Sequence, residues 1–137
     1  MEPQMNTDEH GWNWITRKVI GGSMRVHNYH GCGFLEKVYE NSLLVDLLRE
    51  GLKVEQQKPF AVRYGDVVVG NYECDLLVEG LIIVEVKAVE AISDVHKAQC
   101  INYLRVTGLP ICLLINFARP KLQIKRFMGP AAQRLPS

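Results

Sequence analysis

The sequence lacks the long apolar segment that would tie the chain to a membrane. No apolar run approaches the roughly 18 residues that span a bilayer, and the first ten residues, MEPQMNTDEH, are too polar for a secretory signal. Internal repeats and low-complexity segments are also missing, and 137 residues suit one domain. We therefore expect a single cytoplasmic domain over residues 11–128, flexible ends at 1–10 and 129–137, and no membrane partner.

Paired cysteines and a strong net charge are missing as well. The four cysteines, Cys32, Cys74, Cys100 and Cys112, contain no C-x-x-C pair. They are typical of small core residues in a reducing compartment, and not of zinc ligands or a disulfide framework. The formal net charge of +1 does not by itself indicate nucleic-acid binding, since such binding depends largely on cationic contacts to phosphate. Any function must therefore be inferred from individual residues.

The most informative part of the sequence is a hydrophobic stretch that carries charge, residues 72–88. Its pattern predicts two β-strands joined by a tight turn at Glu79 and Gly80. The second strand is apolar enough for the interior of a sheet, yet it holds Glu85 and Lys87, which strand alternation places on one face. Asp75 on the first strand adds another carboxylate. Because burying an unpaired charge costs several kcal/mol, these residues should be paired or bind a ligand.

The turn between the two strands decides whether the carboxylates meet. An odd-count loop or a bulge near residues 79–81 would place Asp75 opposite Glu85, with Cβ atoms about 5 Å apart. A plain two-residue turn would instead pair Asp75 with Val84 and send Glu85 to the other face. The sequence leaves both open, and a simple Glu85–Lys87 ion pair on an edge strand is a further alternative. Adjacent carboxylates repel unless a cation lies between them, and their hard oxygen ligands suit Mg²⁺ or Mn²⁺.

The rest of the chain predicts an α/β fold with a mixed central sheet flanked by helices. Glu36 lies in the first turn of the second predicted helix, where it either favours the helix dipole or delivers a third carboxylate to a metal site. Gly21 and Gly22 interrupt the first predicted helix and would allow a close helix contact. Periodicity predicts helices over residues 12–29, 34–50 and 95–107, and strands over 54–64, 67–70, 111–116 and 121–127.

Three sequence motifs resemble those of a known nuclease superfamily. Asp75 followed by Glu85-Val86-Lys87 resembles the D…(D/E)-x-K core of the PD-(D/E)xK nucleases. The segment GFLEKVY, residues 33–39, matches the G-x-x-E-x-x-Y signature of the GxxExxY protein family, although Cys32 stands where members commonly have proline. Gln99 with Tyr103 is similar to the Q-x-x-x-Y element of the exonuclease-like branch. The resemblance extends over residues 15–127.

The resemblance implies a restriction-endonuclease-like core and a set of site residues. Asp75 and Glu85 would bind Mg²⁺ or Mn²⁺ with the Val86 carbonyl, and Glu36 would hold a metal or its water. Lys87 would orient the attacking water and offset charge on the phosphate. Gln99 and Tyr103 would position Lys87 or the phosphate. Phosphodiester hydrolysis needs a water activated near neutral pH, which a divalent metal provides.

The sequence therefore predicts a metal-dependent nuclease that acts on nucleic acid, with DNA favoured over RNA. One alternative is a non-catalytic module that keeps the site for binding nucleic acid or a protein partner; the modest charge and the lack of a basic arm favour it. Another is a hydrolase for a small phosphorylated molecule, which would need an enclosed pocket. A homodimer that meets both strands of a duplex is left open.

Overall fold

The computed structural model describes residues 9–133, which form two helices, three strands, a helix, two strands and a short helix. The sequence predicts this order except for the last helix, and it predicts two strands where residues 67–78 form one. Apolar residues recur at helical spacing where the chain is helical and in short runs where it is extended. The elements are α1 Glu9–His30, α2 Glu36–Arg49, β1 Val54–Tyr64, β2 Val67–Val78, β3 Ile82–Lys87, α3 Asp94–Thr107, β4 Ile111–Asn116, β5 Gln123–Met128 and α4 Pro130–Gln133.

The strands form one mixed sheet in the order β1-β2-β3-β4-β5. Neighbouring strands are antiparallel except for the parallel central pair β3 and β4. All of β4 is buried, as is β3 up to Val86, because helices cover both faces of these strands. Val84 packs with α1 and α2 on one face, and Ile83 packs with α3 on the other. The predicted α/β fold with a mixed sheet flanked by helices is confirmed.

The β1–β2 hairpin leaves the sheet partway along its length. β1 and β2 pair from end to end, but β2 pairs with β3 only from Leu76 to Val78. Leu76 packs on the α1–α2 side, whereas Cys74, two residues earlier, packs on the α3 side. Regular alternation would place both on one face, so the hairpin turns over between them. Gln57, which lies opposite Asp75 on β1, has a positive φ of 52°. We call residues 58–74 beyond it the outer ribbon.

Helices α1 and α2 pack closely because a glycine lies at their contact. A Cβ added to Gly22 would come within 2.7 Å of Asp46 Oδ1 and 3.1 Å of Leu47 Cδ2. A Cβ atom rarely lies this close to another heavy atom, so the close approach of the two helices depends on glycine at this position. Arg25, one turn later on α1, binds Asp46 with two hydrogen bonds of 2.7 and 2.9 Å. The predicted close helix contact at the glycine pair is therefore present, at Gly22.

The ends of the domain differ from the sequence-based expectation. Residues 129–133, expected to belong to a flexible tail, contain α4, and its Ala132 is buried against the main core. Pro130 is the first residue of this helix, where the missing N–H of proline has no cost. The Gly129 N–H donates a hydrogen bond to the Pro110 carbonyl at 2.8 Å. Glu9 begins α1, although residues 1–10 were expected to be loose. The rest of both predicted flexible ends, 1–8 and 134–137, lies outside the described residues.

Within residues 9–133, no helix is long and apolar enough to cross a membrane.

Candidate functional site

The loop between β2 and β3 has three residues and brings two carboxylates opposite each other. Val78 pairs with Ile82 and Leu76 with Val84, so the same register places Asp75 opposite Glu85. This is the odd-count loop that the sequence left open. It removes the alternative in which Glu85 turns to the other face of the sheet.

The conformation of this loop is held from a distant part of the chain. Glu79 and Gly80 both have positive φ, 54° and 66°. The Glu79 N–H donates to the Lys53 carbonyl at 2.8 Å, and the Lys53 N–H donates to Glu79 Oε2 at 2.6 Å. Two bonds to the residue before β1 thus hold a glutamate in a backbone region that non-glycine residues rarely adopt. The site depends on this contact for its register.

The two carboxylates each bind the backbone of the opposite strand. The Val86 N–H donates to Asp75 Oδ2 at 2.8 Å, and the Asp75 N–H donates to Glu85 Oε2 at 3.0 Å. Regular strand pairing ends one residue earlier, at Leu76. Where the strands separate, side-chain oxygens therefore take the place of backbone carbonyls. This arrangement fixes both carboxylates at the point where the outer ribbon leaves the sheet.

Both carboxylates have unusual ionisation behaviour because they are shielded from water. Burial, followed by the negative charge of Asp75, raises the pKa of Glu85 to about 8. Burial and the charge of Glu40 raise the pKa of Asp75, while the Val86 N–H acts against them. Lys87 favours ionisation of both carboxyl groups, but it forms no ion pair within 4.0 Å among the described residues. The simple Glu85–Lys87 ion pair is therefore not formed.

A third carboxylate reaches the end of β3 from helix α2. Glu36 is the first residue of α2, and its Oε2 accepts a hydrogen bond from the Ala88 N–H at 3.3 Å. Glu36 and Asp75 line the same cleft, which has a volume of about 550 Å³. We call it the acidic cleft. The structure therefore brings Glu36 to the same opening as Asp75, but the hydrogen bond of Glu36 is to the backbone beyond Lys87.

Two residues of the acidic cleft were missed by sequence reasoning. Glu40 is 3% exposed and accepts hydrogen bonds from Lys37, Gln56 and Gln57 at 2.8–3.2 Å. Gln57 also donates to Asp75 Oδ1 at 3.4 Å, so it bridges the two acids. The sequence feature that could have identified Glu40 is its spacing, since it lies one helical turn after Glu36 and on the same side of α2.

The segment that follows Lys87 is held by a buried amide. Asn116, at the end of β4, is fully buried; its Nδ2 donates to the Val89 carbonyl at 2.8 Å, and its Oδ1 accepts from the Val89 N–H at 3.0 Å. Both backbone groups of Val89 are thereby satisfied. Asn116 pairs with Lys87 across the parallel strands, so it fixes the chain directly beyond the lysine. Sequence reasoning missed this residue as well.

The two predicted site residues of α3 occupy different surroundings. Tyr103 stacks on Tyr72 with ring centroids 3.7 Å apart and an interplanar angle of 15°. Burial, followed by the charge of Glu85, raises the pKa of Tyr103 to about 12. Gln99 is exposed, and its side chain forms no hydrogen bond to another residue of the described range. Tyr103 thus belongs to the surroundings of the site, and Gln99 lies at the surface.

The donor set fits a hard divalent cation in charge and chemistry. Asp75 and Glu85 provide two adjacent carboxylates that lack a cationic partner within 4.0 Å, and Mg²⁺ and Mn²⁺ prefer such oxygen ligands. Among residues 9–133, however, no group of three or more His, Cys, Asp or Glu side chains is close enough to hold a metal. The structure therefore has two of the predicted side-chain ligands together, with Glu36 at the mouth of the cleft.

Comparison with protein-family models assigns the chain to a nuclease superfamily. Residues 13–127 match the model of the PD-(D/E)XK nuclease superfamily. The chain is also similar to the crystal structure of SSO0001, with 15% sequence identity, a TM-score of 0.45, and coverage of 85% of this chain and 79% of that chain. No curated protein matches it.

Proposed function

The chain belongs to the PD-(D/E)XK nuclease superfamily, and from this premise we propose that it is a metal-dependent nuclease that hydrolyses phosphodiester bonds in nucleic acid. The observation that carries the proposal is the opposition of Asp75 and Glu85, each of which accepts a hydrogen bond from a backbone N–H of the opposite strand, with Lys87 on the same face of β3 as Glu85. Two acids and a lysine at the point where strands separate form a compact, charged and partly buried site. A structural role alone does not explain why three ionisable side chains are kept there.

We assign the roles of the residues from their chemistry. Asp75 and Glu85 would hold Mg²⁺ or Mn²⁺ together with the Val86 carbonyl, and Glu36 would hold the metal or its water from the cleft mouth. A divalent cation in that position supplies a Lewis acid and an acidified water. Lys87 would orient the water and neutralise charge on a non-bridging phosphate oxygen, a task suited to a compact ammonium. Tyr103 and Gln99 would position the phosphate or Lys87.

The proposal extends to the family branch, the substrate, the oligomeric state and the cellular location. The G-x-x-E-x-x-Y segment supports assignment to the GxxExxY branch, because Glu36 reaches the acidic cleft and Tyr39 anchors its turn by donating to the Gly31 carbonyl. DNA is favoured over RNA as the substrate, and a homodimer would let two sites meet both strands of a duplex. Four free thiols support a reducing, cytoplasmic location.

Metal-dependent cleavage tests the proposal directly. Purified protein is incubated with Mg²⁺ or Mn²⁺ and single-stranded, duplex and branched DNA, or RNA. We expect Lys87→Ala and Asp75→Ala each to lower the cleavage rate by roughly 10²- to 10⁴-fold, because each removes a group that acts in the transition state. Lys121→Ala and Asp66→Ala, two exposed positions away from the cleft, are the matched controls and should cleave as the wild type does.

The outcome separates the nuclease from the binding module. Equal residual cleavage in all four variants would indicate a contaminating enzyme and would remove the proposal. A non-catalytic module is favoured by one observation, the hydrogen bond of Glu36 to Ala88, which directs the third carboxylate to the backbone. Binding of nucleic acid with no cleavage in either metal would support that second function.

A further inference from the structure

A groove outside the acidic cleft lies between the outer ribbon and α3. It has a volume of about 720 Å³, within the roughly 300–1,000 Å³ of ligand sites in general. Its polar and aromatic lining consists of Arg63 and Tyr72 from the ribbon, and Asn102, Tyr103 and Arg105 from α3. We call it the ribbon groove. No acidic residue lines it, so its electrostatic character is set by the two arginines.

The sequence builds both walls of the ribbon groove locally. On α3, Asn102 and Arg105 are three residues apart and so share one side of the helix. On β1, the pairing register with β2 shifts between Val62 and Arg63, which marks a β-bulge. A bulge re-aims the strand, and Val62 and Arg63 accordingly both line the groove although they are consecutive. The shift thereby adds a cation to this wall.

The arginines of the ribbon groove are available to a ligand. Arg63 and Arg105 are both exposed, and neither forms an ion pair or side-chain hydrogen bond with another residue of the described range 9–133. Arg25, by contrast, is held by Asp46 at 2.7 Å. Unpaired guanidinium groups beside a cavity without carboxylates favour an anionic ligand, and their fork geometry suits phosphate.

Two rings of a three-ring aromatic stack line the ribbon groove. Phe60 stacks on Tyr72 with centroids 5.5 Å apart, and Tyr72 stacks on Tyr103. Tyr103 is only partly buried and lines the ribbon groove, so part of its ring is open to a ligand. Tyr72, which also lines the groove, lies on β2 three residues before Asp75, about 10 Å along the strand. A chain in this groove would therefore have one end beside the proposed cleavage site.

We propose that the ribbon groove binds a single-stranded polynucleotide next to the cleavage site, with Tyr103 stacking on an unpaired base and Arg63 and Arg105 contacting phosphates. Aromatic rings stack on bases of any sequence, but only on bases whose faces are free, and in a duplex the neighbouring base pairs cover those faces. The inference rests on the proposed function for the identity of the ligand. It adds that the substrate has a single-stranded segment.

Binding measured without catalysis tests this inference. The anisotropy of a fluorescein-labelled oligothymidylate is followed in chelator, where the metal-dependent reaction is absent, and compared with the same strand paired to oligodeoxyadenylate. We expect tighter binding of the single strand. The double variant Arg63→Ala/Arg105→Ala should weaken binding and reduce the slope of log K against log salt by about 1.4, since each phosphate contact on a single strand contributes about 0.7.

Stacking has a separate signature. Tyr103→Leu should weaken binding of the single strand by roughly 5- to 150-fold, the equivalent of one lost base stack, with little change in the salt slope. Arg17→Ala, an exposed arginine of α1, is the matched control and should bind as the wild type does. Far-UV circular dichroism and melting temperature show whether the Tyr103 variant is folded, and the arginine variants are at exposed positions.

The results separate this inference from the nuclease proposal. Tighter binding of the duplex, no binding of either probe, or wild-type binding by the Arg63/Arg105 variant would overturn the groove assignment, whether or not the metal-dependent enzyme cleaves DNA. If the wild type binds the single strand, the variants lose this binding, and no metal supports cleavage, the groove assignment stands and the catalytic proposal is wrong.

Discussion

Glu85 gives the site a pH dependence that can be measured in the absence of metal. Its pKa is about 8 in the folded protein against an ordinary value of 4.5. Between these values the folded protein holds a proton that the unfolded chain has released, so the free energy of unfolding falls as pH rises. We expect the melting temperature in chelator to decrease from about pH 5 to about pH 8, and Glu85→Gln to remove most of that decrease.

The control for this experiment is another glutamate of the same hairpin. Glu73→Gln changes an exposed residue of the outer ribbon and should keep the wild-type pH profile. Glutamine at position 85 can still accept the Asp75 N–H through its carbonyl oxygen, so the hydrogen bond is preserved. A wild-type melting temperature that rises over this pH range, or an equal decrease in the Glu85 variant, would contradict the shift.

Residue identities in the site were predictable to different degrees. The charged pair Glu85 and Lys87 was visible because charge inside an apolar strand is costly and therefore informative. The spacing of Glu40 places it one turn after Glu36, but its burial was not predictable, since it depends on Gln56 and Gln57, which come from a strand that is distant in sequence. Asn116 was also missed, because a polar residue at the end of an apolar strand is equally typical of a loop start.

At the scale of elements, the α1–α2 contact offers a matched pair of substitutions. Gly22→Ala should destabilise the protein by about 1–3 kcal/mol, since its Cβ would lie 2.7 Å from Oδ1 of Asp46, which Arg25 holds with two hydrogen bonds, and 3.1 Å from Leu47 Cδ2. Gly21→Ala should stabilise it by up to about 1 kcal/mol, because the nearest atom is the flexible Arg25 side chain at 3.6 Å and alanine favours helix. Urea denaturation of both variants measures the difference.

A common effect of the two substitutions would contradict this interpretation. If both variants lose stability equally, helix α1 tolerates no side chain at either glycine. If neither loses stability, the helices can separate without cost. Either result would mean that the contact between Gly22 and α2 is not what sets the distance between the helices.

The helices and strands were easier to predict than the loops that connect them. The bounds of α2, α3 and β4 agree with the sequence pattern to within about two residues, the normal uncertainty of helix and strand ends. The three-residue loop after β2 was undecidable, because the positive φ of Glu79 is accompanied by two hydrogen bonds to Lys53, which is distant in sequence. Since this loop sets the opposition of Asp75 and Glu85, the site depended on a tertiary contact that no local pattern encodes.

For the whole molecule, we expect a divalent metal to raise the melting temperature. Binding to the folded state alone stabilises it by mass action, about 2.7 kcal/mol at a hundredfold excess over Kd, which amounts to several degrees. The rise should be larger at about pH 8.5 than at about pH 6, because the metal must displace the proton from Glu85 at the lower pH. Differential scanning fluorimetry with Mg²⁺ or Mn²⁺ against chelator measures both.

Two controls make the metal experiment specific. Sodium chloride at matched ionic strength accounts for general screening, and Asp66→Asn, at the exposed hairpin turn, should respond as the wild type does. Asp75→Asn should lose most of the response, while its metal-free form gains stability from relieved carboxylate repulsion. Equal melting temperatures with and without metal at both pH values would exclude a divalent site of useful affinity.

The outer ribbon has one consequence for how this protein can diversify. Because residues 58–74 pair with nothing but each other in the sheet, their side chains contribute less to the central core than those of β3 and β4. Substitutions there can alter what the groove recognises while the folding energy, which comes mainly from the buried strands, is largely kept. Evolution can therefore vary recognition in the ribbon and leave the reaction chemistry to the rigid centre.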